Sequence, residues 1–207
     1  HPALLAATGL LPSQLPRLHE SAEAVGTLAF AWCRAWGLAE SVQVAAGAGD
    51  NAAGALGVGV VRPGDGLLSL GTSGVIFVPA LGAHPHPERG VHTFCHALPG
   101  LWHQMSVMLS AASALAWWAG LAGAEPGDLL AELTPGELRP RAPLFLPYLS
   151  GERTPHADPA ATAAFIGLTQ AHARADLTYA VIEGVAFGLA DGLAALREAG
   201  AAPERLL

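Results

Sequence analysis

Two short apolar runs, Leu67-Leu68-Ser69-Leu70 and Val75-Ile76-Phe77-Val78, flank Gly71-Thr72-Ser73-Gly74, and no other feature constrains the fold of this chain more. Apolar runs of this length bounded by glycine read as strands, and a short Gly-Thr-Ser-Gly link returns the second against the first as a hairpin. Upstream, Val42 to Ala46 reads as a short buried strand, Gly47-Ala48-Gly49 as a backbone turn, and Ala52-Ala53-Gly54-Ala55-Leu56 as the start of a helix. The stretch from Val42 to Gly74 therefore predicts strand, helix and hairpin in succession, an α/β arrangement.

Two features of this stretch carry chemistry. Asp50 falls at a strand end beside a helix N-terminus, where backbone amides and the helix dipole favour an ionised carboxylate, and an ionised carboxylate accepts a proton. The Gly71 to Gly74 turn offers bare amides and two hydroxyls, which suit a phosphate. As residues alone, both have a second reading: Asp50 as an Asx turn or helix N-cap, and the glycine link as a turn and nothing more. Gly47-Ala48-Gly49 lacks the third glycine of GxGxxG, and no GK[ST] follows, so neither a dinucleotide fold nor a P-loop is indicated.

The wording of the chain adds to its chemistry. GAGDNAAGA (Gly47 to Ala55), LSLGTSG (Leu68 to Gly74), HTFCHALPG (His92 to Gly100) and FLPYLSGERTPHADP (Phe145 to Pro159) resemble the FGGY carbohydrate kinases, most closely the xylulokinase branch. Ala163 to Glu183 fits the spacing of that family's second signature, with Phe165, Gly167-Leu168, Asp176-Leu177, Ala180 and Glu183 in order. The resemblance implies an actin-like, ribonuclease H-like ATPase fold: a mixed sheet with flanking helices. It implies that residues 1–40 end a first domain and connect it to residues 41–207, an incomplete second domain, and that the chain is an internal piece of a longer protein, inactive alone. For the intact protein it implies transfer of the γ-phosphate of ATP, with Mg2+, to D-xylulose. Asp50 then matches the catalytic base and, with Asn51, a sugar-binding position; Gly71, Thr72 and Ser73 match the hairpin facing the transferred phosphate. Kinases for gluconate, ribulose or glycerol share that hairpin, and a non-catalytic sugar-binding relative would keep the fold.

Charge bears on the phosphate question. The net charge is -7 with ten Lys and Arg and no basic cluster, which argues against nucleic acid and leaves amide dipoles and a divalent cation to hold a nucleotide. Hydrophobic residues make up 52%, yet no apolar run reaches the ~18 residues of a membrane span without Gly, Pro or polar interruption. Cys33 and Cys95 have no metal-ligand spacing and are expected as buried, reduced thiols, which points to the cytoplasm. His92, His96 and His103 have no accompanying acid cluster, so no metal site is assigned to them. These features are compatible with a homodimer without specifying one.

Elsewhere the pattern predicts a short helix over Leu28 to Leu38 with its aromatics packed inward, and a second hairpin, Val91 to Leu98 and Leu101 to Val107, extending the sheet. Ser110 to Leu121 reads as a buried helix whose start, by resemblance, approaches the nucleotide phosphates. The loop Pro147 to Pro159 holds Glu152, Arg153 and His156 in one polar run after an apolar strand, the layout of a site at a strand end, and Glu152 with Arg153 fits an ordinary surface ion pair equally well. Asp176 is expected to cap a long helix from Leu177 to Ala199, in which Gly184, Gly188 and Gly192 would form a face pressed tight against the sheet.

Overall fold

In the computed structural model, which describes residues 2–207, the main sheet has five strands in the order β5-β6-β4-β3-β9. β3 (Asp65–Leu70) and β4 (Gly74–Ala80) form the expected hairpin, with Leu70 opposite Gly74 and Leu67 opposite Phe77. β5 (His92–Cys95) and β6 (Trp102–Met108) form the second hairpin, and β6 lies antiparallel to β4 along its whole length. Parallel pairing of β9 (Arg205–Leu206) with β3 makes the sheet mixed.

The continuous apolar run of β4 follows from its place in the middle of the sheet with helices on both faces, since a strand covered on both sides has no polar face to show. On one face Phe77 and Met105 meet Ala52 and Ala55 of α3 (Asp50–Gly57). On the other, Ile76 and Val78 meet Ala195 and Leu196 of α6 (Arg174–Glu198). On the α6 side of β6, the Gln104 side-chain amide donates to the carbonyls of His84 and Ala199 at 2.9 and 3.0 Å.

The glycine stripe lies where the pattern places it. A methyl group at Gly192 would come 2.8 Å from the Ser106 hydroxyl oxygen, and one at Gly184 would collide with the Phe145 carbonyl. The backbone of α6 thus rests on the sheet and on β7 (Leu144–Leu146), which pairs with β8 (Ala164–Ile166) as a separate two-stranded sheet. α4 (Ala112–Ala122) completes this side, its Trp118 indole donating to the Thr178 hydroxyl at 3.0 Å. By length and composition α6 could cross a membrane, but its closely packed face is used against the sheet.

Five expectations need correction. The run Val42 to Ala46, expected as a buried strand, forms one at Gln43–Ala45 in a separate two-stranded sheet, and all three of those residues are exposed because so small a sheet has no core of its own to bury them. The helix α2 (Phe30–Trp36), set between the paired strands β1 (Ala24–Thr27) and β2 (Gln43–Ala45), turns its aromatics outward, with Trp32 53% and Trp36 61% exposed. Seven residues give about two turns and one inward stripe, and the small Cys33 occupies it. Cys95 is exposed, because β5 is an edge strand. Asp176 is not the cap but the third residue of α6; its carboxylate reaches back to the amide of Ala173, which takes the cap position without a capping side chain of its own. Glu152 forms no surface ion pair with Arg153: it is buried and accepts the amides of Leu109 and Arg153 at 3.0 and 2.7 Å, pinning its loop to the end of β6.

Candidate functional site

Strand β2 runs out at Ala45, and Gly47-Ala48-Gly49 turn the chain so that Asp50 opens α3. Gly49 occupies the cap position in extended conformation and carries no side chain to satisfy the first amides. Asp50 takes part of that role: its carboxylate accepts the Asn51 amide at 2.8 Å and faces the Asn51 side-chain amide at 3.3 Å. The carboxylate is exposed at the open end of a helix whose inner residues, Ala52 and Ala55, are anchored on the sheet. An anchored helix with an exposed N-terminal carboxylate holds a proton acceptor in a fixed place.

In front of this end lies a hollow of about 620 Å³ lined by Asp50, Asn51, Phe94, Cys95, His103 and Met105, among others. Its floor is the α3-facing side of β5 and β6, where Phe94 is opposite His103 and His92 is opposite Met105. His103 is 4% exposed and its ring stacks on Phe77 with centroids 4.3 Å apart. Burial, reinforced by the neighbouring His96, pushes its pKa down to about 4, so the ring is neutral near pH 7. His92 and His96 are lowered in the same direction, in each case chiefly by burial.

Phe94, His103 and Met105 stand outside every sugar- or phosphate-binding motif read above. The signal was in the spacing, since His92 and Phe94, and His103 and Met105, each recur at the two-residue period that puts side chains on one face of a strand.

Gly71, Thr72 and Ser73 stand at the end of the same sheet. Met105 pairs with Phe77 and Met108 with Gly74, so the hairpin begins three ladder positions beyond the hollow, roughly 10 Å along the strands. The three residues are not equivalent. The Gly71 amide is taken by the Ser73 carbonyl at 3.0 Å, while the Gly71 carbonyl accepts the Ala112 amide and the Thr72 carbonyl accepts the Ala111 amide and the Ser113 hydroxyl, at 2.8–3.0 Å. The hairpin thereby caps α4, and the first amides of that helix are already occupied. Among the described residues, the Thr72 and Ser73 hydroxyls have no protein partner. Those two groups are what the hairpin has left to offer an anion.

The sequence model of the "FGGY family of carbohydrate kinases, C-terminal domain" matches residues 66–207, and that of the N-terminal domain matches residues 1–57. The chain belongs to the FGGY family of carbohydrate kinases. Among FGGY relatives, it is 48% identical over 202 residues to the xylulose kinase of Escherichia coli K12, covering 97% of this chain and 42% of that one. It is 46% identical to the xylulose kinase of Klebsiella pneumoniae, over 98% of this chain and 42% of the relative. A crystal structure titled as a xyloylose kinase from Brucella ovis superposes with a TM-score of 0.91 at 52% identity, over 96% of this chain and 41% of that one. The chain thus spans about two-fifths of the length of the FGGY kinases it matches, and its mixed sheet with flanking helices is the fold of that family.

Proposed function

We propose that this chain carries the acceptor-activating part of an ATP-dependent kinase that converts D-xylulose to D-xylulose 5-phosphate, with Asp50 as the base. The observation that supports it most is the arrangement of one exposed, anchored carboxylate beside a hollow, with two unpartnered hydroxyls at the end of the same sheet. The similarity to xylulose kinases supplies the sugar.

On this reading the ketose enters the hollow with its terminal hydroxyl toward Asp50. Asn51, whose amide group faces the Asp50 carboxylate, holds the acid in place and presents its remaining groups to the sugar. Asp50 accepts the hydroxyl proton as that oxygen attacks, while the Thr72 and Ser73 hydroxyls donate to the oxygens of the arriving phosphoryl group. Phosphoryl transfer passes through a loose transition state, so alignment and charge stabilisation do most of the work and the base chiefly orients the nucleophile. Gly71 serves by its backbone, as the residue that fixes the hairpin to α4.

ATP supplies the γ-phosphoryl group, and a Mg2+ travelling with it would be held chiefly by phosphate oxygens and water. Among the described residues, no three His, Cys, Asp or Glu side chains converge on a cation site, and none of the steps above uses one. Residues 1–40 are read as the end of a first domain and its connector, and 41–207 as part of a second, the whole working in the cytoplasm.

The test is Asp50→Asn in the full-length enzyme. Loss of a general base costs about 10²- to 10⁴-fold in kcat, so turnover of D-xylulose should fall by that much while sugar binding, measured by calorimetry, changes little. Undiminished turnover would remove Asp50 from the mechanism.

A further inference from the structure

Resting on the reading of the hollow as a sugar site, we propose that His103 determines which sugar the site accepts, its imidazole hydrogen-bonding a hydroxyl or the carbonyl of an uncharged ketose held by Asp50 and Asn51. The ring lines the hollow together with those two residues. Its Nδ1 is enclosed and has no hydrogen-bond partner. Buried polar atoms in proteins are nearly always paired, so an unpaired one in a ring that borders a hollow calls for a reason.

The neighbours sharpen the point. Gln104, one residue on, has its amide satisfied by two carbonyls on the opposite face of the sheet. A ring needed only to fill space between Phe77 and Phe94 could be a phenyl group. Instead the strand places there an imidazole, whose two ring nitrogens supply a donor and an acceptor on separate atoms when the ring is neutral.

The surroundings describe the ligand. Phe77 stacks on one side of the ring, while Phe94 and His96 lie 5.9 and 6.1 Å from it, so the imidazole is held rigidly. Phe94 and Met105 give the hollow an apolar wall suited to the C–H face of a sugar. Burial keeps the ring uncharged near neutral pH, and the nearest fixed charge in the hollow is the Asp50 carboxylate. A neutral imidazole and a carboxylate lining one hollow suit a hydroxyl or ketone and disfavour a sugar acid, whose own carboxylate would meet Asp50 without a cation to offset it.

The experiment uses the full-length enzyme, with His103→Phe keeping the ring stack and His103→Gln keeping the hydrogen-bonding groups. Steady-state kinetics are measured on D-xylulose, on ketopentoses each lacking one hydroxyl or the carbonyl oxygen, and on D-gluconate. A site built to hydrogen-bond a polar group strongly rejects the analogue without it, so His103→Phe should raise KM for D-xylulose about tenfold or more with a smaller change in kcat. One analogue that wild type rejects should be handled equally well by His103→Phe, and His103→Gln should restore most of the lost preference. If His103→Phe does not fold, His103→Asn is set against His103→Gln, because the two amides differ in reach; equal KM values for both would overturn the proposal. A folded His103→Phe enzyme with unchanged KM and unchanged discrimination would overturn it as well. Wild-type enzyme that phosphorylates no ketose would overturn the reading on which this one rests, a result seen before any variant is made.

Discussion

The chain divides into two stretches that behave differently, before Asp50 and after it. From Pro2 to Gly49 one side chain, Cys33, is fully buried, and Trp32 and Trp36 lie against each other in the open with ring centroids 5.0 Å apart. From Asp50 onward a sheet is covered on both faces, with Phe77, Val78, Val181 and Leu196 at 1% exposure or less. The comparison teaches that α3 is where the two stretches join: its inner residues belong to the packed body, while its first residue is exposed at the edge of the hollow. A second hollow, between Leu18 to Glu23, Gly47 to Gly49 and the Cys95-His96 corner, marks the line where the two stretches meet.

The largest effect that would sharpen this contrast is the loss of Phe77, which joins α3 to the sheet. Phe77→Ala should cost about 3–5 kcal/mol, read as a shift of the urea midpoint, with α3 released together with the sheet. A cost below 1 kcal/mol would break the picture of a body built around that face.

Acid should act next. Free imidazoles protonate near 6.5, while His103 in the fold resists protonation until about pH 4 and His92 and His96 are lowered too. The unfolded chain therefore binds more protons than the folded one in this window, so stability present above pH 6.5 is lost as pH falls toward 4. Glu152, raised by burial, has the opposite sign and favours the fold as it gains its proton. Melting temperatures between pH 7.5 and 4.5 should fall, and fall less steeply in His103→Gln. A profile no steeper in wild type than in His103→Gln would show that the His103 ring is not enclosed.

The smallest effect belongs to the exposed stretch. Trp32→Ala should change stability by less than about 0.5 kcal/mol, the usual range for exposed positions, and a loss above 1 kcal/mol would erase the distinction between the two stretches.

Much of this was legible in the sequence. The two hairpins and the turn into α3 follow from apolar runs broken by glycine, and the stripe Gly184, Gly188, Gly192 foretold close packing because three glycines on one helix face require a reason. What pattern could not supply was the surroundings of single side chains. The aromatics of α2 repeat at helical spacing whether or not anything covers them, so their direction was unreadable. Glu152 beside Arg153 suggests an ion pair by adjacency, while the fold turns the carboxylate to the amides of Leu109, just past β6, and of Arg153 itself. Of the site, Asp50 with Asn51 and the hairpin were visible as local motifs. His103 was not, because its meaning depends on what lies opposite on β5 and above on α3.

The carbonyls that Gly71 and Thr72 spend on the start of α4 also have a mechanical meaning. A loop bonded in this way to a helix cannot tilt toward an incoming anion without drawing that helix along, and through Trp118 and Thr178 the pull would be felt by α6 on the far side of the sheet. Contact at the Thr72 tip is thus geared to the back of the molecule.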